Sequence, residues 1–330
     1  MRGYIIKCGP KGMFSAVLTN YQYGRFLEEA LRSVLDQTPA PLEVLIVDDG
    51  STDDSRERVK PFLDRVQWVE VPHGGQAAAL NAVLPRCKGD WVAFLETDDV
   101  WTPGKLAAVA AAFEAEPDLA AVQHALVQAD AKLAPLPTVL PKEPLKWTLQ
   151  DYLAGTTLLT GMSGLAVKRS ILDKILPLPA DVYTACDELF QPRLLKLGPI
   201  RHIPGSYGLR RIHGANQYGG LRGDLKRLEA WLALRDKLDA HREAFLKENG
   251  LTLSESLRRR IASERFELEL FRHRLEGRPV EALVDWVNAA GLHEEPCRAA
   301  FKALALSAAL LSPKLWLALH AAYERRSART

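Results

Sequence analysis

The chain has 330 residues, 47% of them hydrophobic and 25% charged, with a formal net charge of +2. That is the balance of an ordinary globular protein with enough apolar mass for a sizeable core, and so weak a net charge gives no electrostatic case for a nucleic-acid partner. The four cysteines, Cys8, Cys87, Cys186 and Cys297, form no CxxC pair, which argues against a zinc site or disulfide framework and fits a reducing cytoplasm.

Met1 to Gly12 lacks the apolar core of a signal peptide. The longest apolar window, Ala303 to Leu311, stops at Ser312-Pro313-Lys314, so no transmembrane span is expected. Phe14 to Thr19 predicts a first strand that opens on the polar loop Asn20-Tyr21-Gln22-Tyr23-Gly24. Phe26, Leu27, Ala30, Leu31, Val34 and Leu35 follow at helical spacing and end before Pro39-Ala40-Pro41. Leu42 to Val47 predicts a second strand running into Asp48-Asp49-Gly50-Ser51-Thr52-Asp53-Asp54, where Gly50 permits a tight turn and Ser51, Thr52 or Asp53 can cap a helix to about Leu63. Val66 to Val71 is a third strand, Pro72-His73-Gly74-Gly75 a turn, and Gln76 to about Pro85 a helix.

Trp91 to Leu95 is a short continuous apolar run, the pattern of a buried parallel strand, and it delivers Glu96, Asp98 and Asp99. Ligands collect at the carboxyl ends of strands in open α/β sheets. Carboxylates crowded there repel one another unless a cation offsets them, and hard oxygen ligands suit Mg²⁺ or Mn²⁺ holding substrate phosphates. Strands alternating with short helices predict a mostly parallel, doubly wound sheet. The first strand is not followed by G-x-G-x-x-G, nor does the chain contain a Walker P-loop, so a glycine cradle is not the phosphate-binding device.

Beyond Pro103 a helix to about Glu116 and a strand over Leu119 to Val127 are expected. Ala134 to Trp147 reads as a proline-rich loop. Thr160 to Ser170 holds a small-residue turn, a strand-like run and the basic pair Lys168-Arg169, and Ile171 to Ile175 begins a helix. Asp187 and Glu188 stand at a helix start, Ile200 to Ile203 is short and extended, and Arg210-Arg211-Ile212-His213-Gly214 lies in a Gly- and Asn-rich tail to Gly223. From Leu221 on, the chain reads as helices. One carries the stripe Leu221, Leu225, Leu228 and Leu232; a second starts at a capping box, Thr252 to Glu255; a third covers Ala282 to Ala289. Pro296 and Pro313 open two more.

With these segments placed, the chain resembles glycosyltransferase family 2, inverting enzymes of the GT-A fold, over roughly Phe14 to Gly219. The motifs that carry the resemblance are Val17 to Tyr23 with Leu31 to Thr38, Val47-Asp-Asp-Gly-Ser-Thr-Asp53, Gly75 to Asn81, Gly89 to Asp99, and Cys186-Asp187 ahead of Arg193. The resemblance implies an α/β GT-A domain over 14–220, after an extension at 1–13 and before an all-α region at 221–330. It implies that Thr19, Tyr21 and Asp49 hold the nucleotide base, Tyr21 by stacking and Asp49 by accepting the imino proton. Asp98 would bind the ribose or the metal shell, Asp99 would ligate the Mn²⁺ or Mg²⁺ that bridges the diphosphate, and Asp187 would be the general base. His213 is a candidate to reach the phosphates or the metal from the tail. Gln22 stands where the family usually has Asn, Glu96 replaces the first acid of Asp-x-Asp-Asp, and Cys186 replaces the Glu before the base. The Gln-x-x-Arg-Trp motif of processive synthases is missing, which favours transfer of a single sugar.

The expected reaction is displacement at the anomeric carbon of a nucleotide sugar, with UDP as the default although thymidine offers the same imino edge. One carboxylate opposite the leaving group inverts the configuration, unlike the paired carboxylates of glycoside hydrolysis. The partners expected are a nucleotide-sugar donor and a glycan, lipid-linked or peptide acceptor. The C-terminal helices would cover the catalytic domain, form a homodimer or present the acceptor. Phe301 to Tyr323, with Trp316, Lys302, Lys314, Arg325 and Arg326 in and beside it, is a candidate for peripheral contact at the inner face of a membrane. The competing class is a binding module that keeps the fold without catalysis. A nucleotidyltransferase would need a basic glycine-rich loop after the first strand.

Overall fold

The computed structural model describes residues 12–137, 145–157, 160–214, 216, 223–291 and 307. It divides into two compact units, Met1–Tyr152 with Thr157–His213, and Leu153–Thr156 with Gly214–Thr330.

The first unit is a sheet flanked by helices: β1 (Phe14–Asn20), α1 (Gly24–Leu35), β2 (Glu43–Asp48), α2 (Ser55–Val59), β3 (Gln67–Glu70), α3 (Gln76–Val83), β4 (Trp91–Glu96), β5 (Val100–Trp101), α4 (Lys105–Ala115), β6 (Ala121–Ala129), β7 (Leu145–Trp147), α5 (Leu149–Ala154), β8 (Leu165–Lys168), α6 (Arg169–Ile175), α7 (Cys186–Leu197) and β9 (Ile200–Arg211). The strand order is β3-β2-β1-β4-β8-β6-β9-β5, with β7 also on β9. The strands β3, β2, β1 and β4 are parallel, as the strand–helix alternation predicts. From β4 onward the sheet is mixed: β8 lies antiparallel between β4 and β6, and β6 pairs in parallel with β9.

The apolar run of β4 is buried on both faces because helices cover both sides of the parallel half. The stripe on α1 packs Leu27, Ala30, Leu31 and Val34 onto Ala16 and Leu18 of β1 and Ala93 and Leu95 of β4. Register then sets the site. Asn20 pairs with Asp48 and Thr19 with Glu96, so three parallel strands end at one level and their carboxyl-terminal loops share one edge.

The structure corrects the sequence reading in several places. The end of the proline-rich stretch, Leu145–Trp147, is a strand rather than loop, because the β9 edge has backbone groups for it to pair with. The strand expected at Ile200 to Ile203 continues to Arg211, so Arg210 and Arg211 belong to a strand end and not to a tail. Pro204, Gly205 and Gly208 disguise its length. They fall where the β6–β9 ladder shifts register, and Ser206 repairs the break by accepting from Val127 N and donating to Gly208 O.

In the second unit α8 (Leu225–Glu248), α9 (Glu255–Leu275) and α10 (Pro279–Gly291) bury Leu228, Leu232, Leu270, Phe271 and Ala289 against one another. Asp224 caps α8 by accepting from Arg227 N at 3.1 Å. The cap of α9 is Ser254, which accepts from Leu257 N at 3.2 Å, so the expected Thr252–Glu255 capping box is not used. A serine immediately before the first helical residue reaches the free amides better than a threonine two residues further out. The start of the stripe at Leu221, the helices expected at Pro296 and Pro313, and the Phe301 to Tyr323 segment lie outside the described residues.

Candidate active site

At the ends of β1 and β2, Asn20 is buried and organises the turn. Its Nδ2 donates to Asp48 Oδ1 (2.6 Å) and Ser55 Oγ (2.9 Å), and its Oδ1 accepts from Thr97 Oγ1 (2.7 Å). Asp48 also accepts from Ser51 N, so this acid is spent on the turn. Thr19 is half-buried beside it, and its carbonyl accepts from Thr97 N. Asp49 turns the other way. Its Oδ1 accepts from Gly74 N (2.8 Å) and its Oδ2 from Gly75 N (2.9 Å) and His73 Nδ1 (2.8 Å). Gly50 makes this approach possible: it has φ 68°, and a Cβ there would lie 2.8 Å from His73 N. The exposed Tyr21 ring stacks flat on the His73 imidazole.

At the end of β4 the three acids come together under strong mutual influence. Burial, then Asp98, pushes the Asp99 carboxyl up to about 7. Burial, followed by Asp98, Asp99 and Asp187, raises Glu96 well above the ordinary carboxylate range. The turn that presents them is held from beneath by Arg211, whose side chain is 2% exposed. Its Nε donates to Asp98 O (2.8 Å), Nη1 to Ala131 O (2.8 Å) and Nη2 to Glu29 Oε2 (2.6 Å), while its backbone N donates to Asp99 Oδ1 (2.9 Å). From the other side Ser163 Oγ accepts from Glu96 N (3.1 Å) and hydrogen-bonds the Asp99 carboxylate. The buried Lys105 fixes that turn by donating to Ser163 O at 2.7 Å, with its Nζ over the Trp101 ring.

His213 reaches the same place, with Nε2 3.3 Å from Asp98 Oδ2 and the ring packed edge-on to Tyr23 and tilted against Phe26. Arg25 Nη2 stands 3.5 Å from Nδ1. A guanidinium only donates, so Nδ1 is the acceptor and Nε2 carries the proton toward Asp98.

Asp187 opens α7. Ala185, at φ 60°, turns the chain into the helix. Burial, then Glu188, pushes the Asp187 carboxyl up to about 6, against the pull of its own and the Glu188 backbone N–H groups and of Arg210. Gln76 joins this helix to β4: its Nε2 donates to Glu96 Oε1 (3.1 Å) and its Oε1 accepts from Cys186 N (3.2 Å). Cys186 is fully buried beside Asp187 and Glu96, which explains a thiol there: an acid would add a third buried like charge.

The structure therefore gathers Asp98, Asp99, Asp187 and His213 into one site and sets Thr19 at the end of β1, and Tyr21 and Asp49 on the loops after β1 and β2, along the same sheet edge. Sequence reasoning does not single out Tyr23, Gln76, His73 or Arg210. The Tyr23 hydroxyl is raised by burial and by Asp98 and Glu96, so it stands beside the acids. Arg210 is exposed, and its charge acts on Glu96, Asp99 and Asp187 at once. The one available signal is strand alternation: if Arg211 faces inward, Arg210 must face the opening.

Residues 15–176 match the family model described as Glycosyl transferase family 2. The chain belongs to glycosyltransferase family 2. An uncharacterized glycosyltransferase of Nostoc sp. is 34% identical over 216 residues, covering 62% of this chain and 66% of that protein. The Escherichia coli enzyme WfgD, a UDP-Glc:α-D-GlcNAc-diphosphoundecaprenol β-1,3-glucosyltransferase, is 34% identical over 96 residues, 28% of this chain and 38% of its own length. The chain thus spans less than two thirds of either relative. The crystal structure of S. aureus TarS 1-349 in complex with UDP-GlcNAc superposes with TM-score 0.55 at 18% identity, covering 95% of this chain and 92% of that one. This likeness carries the GT-A fold. Among the family's expected positions, Asp187 and His213 lie beyond the residues the family model matches. Among the described residues no helix is long and apolar enough to cross a membrane.

Proposed function

We propose that the protein is an inverting glycosyltransferase that moves one sugar from a nucleotide-diphosphate sugar, with UDP as the default nucleotide, to an acceptor hydroxyl in glycan or cell-surface polysaccharide assembly. The observation that carries this reading is the meeting of two sets of acids. Glu96 feels the charges of Asp98, Asp99 and Asp187, and Gln76 joins it to Cys186 beside Asp187, which supports a donor set and a base working on one substrate pair.

A divalent cation fits the donor set. Among the described residues no group of three or more His, Cys, Asp or Glu side chains is arranged to enclose a metal. Mg²⁺ and Mn²⁺ in phosphate sites are nevertheless held by one or two carboxylates, with waters and substrate phosphates completing the shell. Asp98 and Asp99 are such a pair: burial first and Asp98 second push the Asp99 carboxyl up, and a cation held there would offset both. Asp98 and Asp99 would hold the ion, with His213 Nε2 3.3 Å from Asp98 Oδ2; bound there, the ion would supply Lewis-acid stabilisation of the leaving diphosphate.

The chain's own groups do the rest. Arg210 offers a positive charge at the mouth of the acid cluster, where a diphosphate would develop charge. Tyr21 and Asp49 receive the base. Asp187 takes the proton from the acceptor hydroxyl as it attacks, and a carboxylate brought to about 6 is a stronger base than a free aspartate while still ionised at neutral pH. With one base and in-line attack the anomeric configuration inverts. WfgD acts on a sugar linked to diphosphoundecaprenol, which supports a lipid-linked glycan as the first acceptor to try.

The test is release of UDP from a panel of UDP-sugars with Mn²⁺, first without acceptor and then with lipid-linked saccharides. The expected result is turnover with one donor that Asp187→Asn lowers by about 10³-fold while leaving UDP binding intact. Turnover unaffected by Asp187→Asn would refute the assignment of the base. Nucleotide-sugar binding without turnover would favour the binding-module reading.

A further inference from the structure

The contacts proposed for the nucleobase are already made by a side chain of the protein. The His73 ring lies on the Tyr21 ring with centroids 4.2 Å apart and planes 8° from parallel. Its Nδ1 faces Asp49 Oδ2 at 2.8 Å and Asp49 O at 3.2 Å. Both are acceptors, so Nδ1 carries the proton and donates. A flat ring stacked on Tyr21 with an N–H aimed at the Asp49 carboxylate is what a uracil or thymine would present with its own face and imino N–H. The rings are in stacking contact, and no base fits between them.

We infer that His73 is a placeholder: its imidazole occupies the nucleobase position in the nucleotide-free protein and swings out when a nucleotide enters. The inference rests on the donor-site reading of Tyr21 and Asp49. The geometry makes the exchange a matter of one side chain. The backbone of the turn is pinned, with Gly74 N and Gly75 N on the two Asp49 oxygens and Gln76 N on Tyr183 O at 2.7 Å. The imidazole itself is 55% exposed and can rotate into solvent. Asp49 keeps its two backbone donors throughout and changes only the third, from an imidazole N–H to an imino N–H. The carboxylate is thus prealigned for the base and never left without a donor.

A placeholder has a thermodynamic signature that a direct base contact does not share. The cost of displacing it enters equally for every nucleotide, so deleting the imidazole strengthens all of them by one factor and leaves their ranking unchanged. A residue that touched the base in the complex would, when deleted, weaken binding or change the ranking.

The test is isothermal titration of the full chain with UDP and with dTDP in the presence of Mn²⁺, for the wild type, His73→Ala and His73→Gln. His73→Ala is expected to bind both nucleotides about tenfold more tightly, with their ratio unchanged. His73→Gln retains an N–H for Asp49 but has no ring to stack, and its gain should fall between. Weaker or unchanged affinity in His73→Ala, or a gain for one nucleotide alone, overturns the placeholder while leaving the donor site standing. No binding to the wild type or to either variant overturns the donor-site reading and the placeholder with it.

Discussion

Asp99 and Asp187 are the same side chain in two settings that both raise it, and each setting yields a measurable consequence. The upward shift of Asp187 to about 6 comes first from burial, so the ionised base is lost as pH falls through that value. The kcat/KM profile should therefore show an acidic limb near pH 6, well above the range of an ordinary aspartate; a limb near pH 4 would place the base elsewhere. Asp99 is raised to about 7 by burial and by Asp98. Asp99→Asn removes that disfavoured charge, and amide rotation still leaves an oxygen for Arg211 N. The metal-free variant should be more stable than the wild type by on the order of 2 kcal/mol in urea denaturation, while losing metal-dependent nucleotide binding. Equal or lower stability would contradict the strain assigned to the acid pair.

The acids of β4 are legible in the sequence because they follow an apolar strand in a fixed motif, and Asp187 is legible from the family's motif order. Tyr23, Gln76, His73 and Arg210 are not. Their roles arise from contacts between segments: Gln76 meets Cys186 from 110 positions away, and His73 meets Asp49 across the β2–α3 crossover. No local pattern marks such pairs. The family motif marks Asp49 as a base acceptor, but its grip on Gly74 and Gly75 is hidden, because a backbone amide leaves no trace in sequence.

Among the elements, the end of β9 does most to position the site. Arg211 is buried there and its guanidinium joins the Asp98 turn, the loop at Ala131 and Glu29 of α1. Arg211→Leu should destabilise the protein by about 3 kcal/mol, since it removes the three hydrogen bonds of a buried guanidinium, and should weaken nucleotide binding as the turn loosens. Glu29→Gln, at a half-exposed carboxylate, should cost under about 1 kcal/mol. Chemical denaturation of both variants checks the pair, and a mild Arg211→Leu would show that the turn holds without its clamp. In the helical unit, Ser254→Ala should cost about 1 kcal/mol and Thr252→Ala almost nothing. The opposite ranking would restore the cap expected from sequence. The pattern of β1, β2 and β4 can be read directly, because each carries a continuous apolar run. That of β9 cannot, because proline and glycines punctuate a strand whose bulge tolerates them.

For the whole molecule, the raised carboxyls make the acid cluster a source of instability whose sign can be worked out. Asp99 and Asp187 have folded values above their unfolded ones, so between about pH 4 and 7 the native state binds more protons than the unfolded chain. The contribution of these groups to stability therefore falls as pH rises through that window. A divalent cation bound to these acids would reverse the trend by favouring their ionised form. The helices of the second unit add a separate core, built around Leu228, Leu270 and Phe271, that takes no part in this titration.

The measurement that bears most directly on a nucleotide-diphosphate donor site is thermal unfolding of the full chain at neutral pH with UDP, with Mn²⁺, and with both, in wild type and Asp99→Asn. A ligand that binds only the native state stabilises it by RT ln(1 + [L]/Kd). UDP and Mn²⁺ together should raise Tm by several degrees, each alone by far less, and Asp99→Asn should lose the joint effect. No shift with any combination, or an undiminished joint shift in Asp99→Asn, would contradict a metal-assisted donor site at the end of β4.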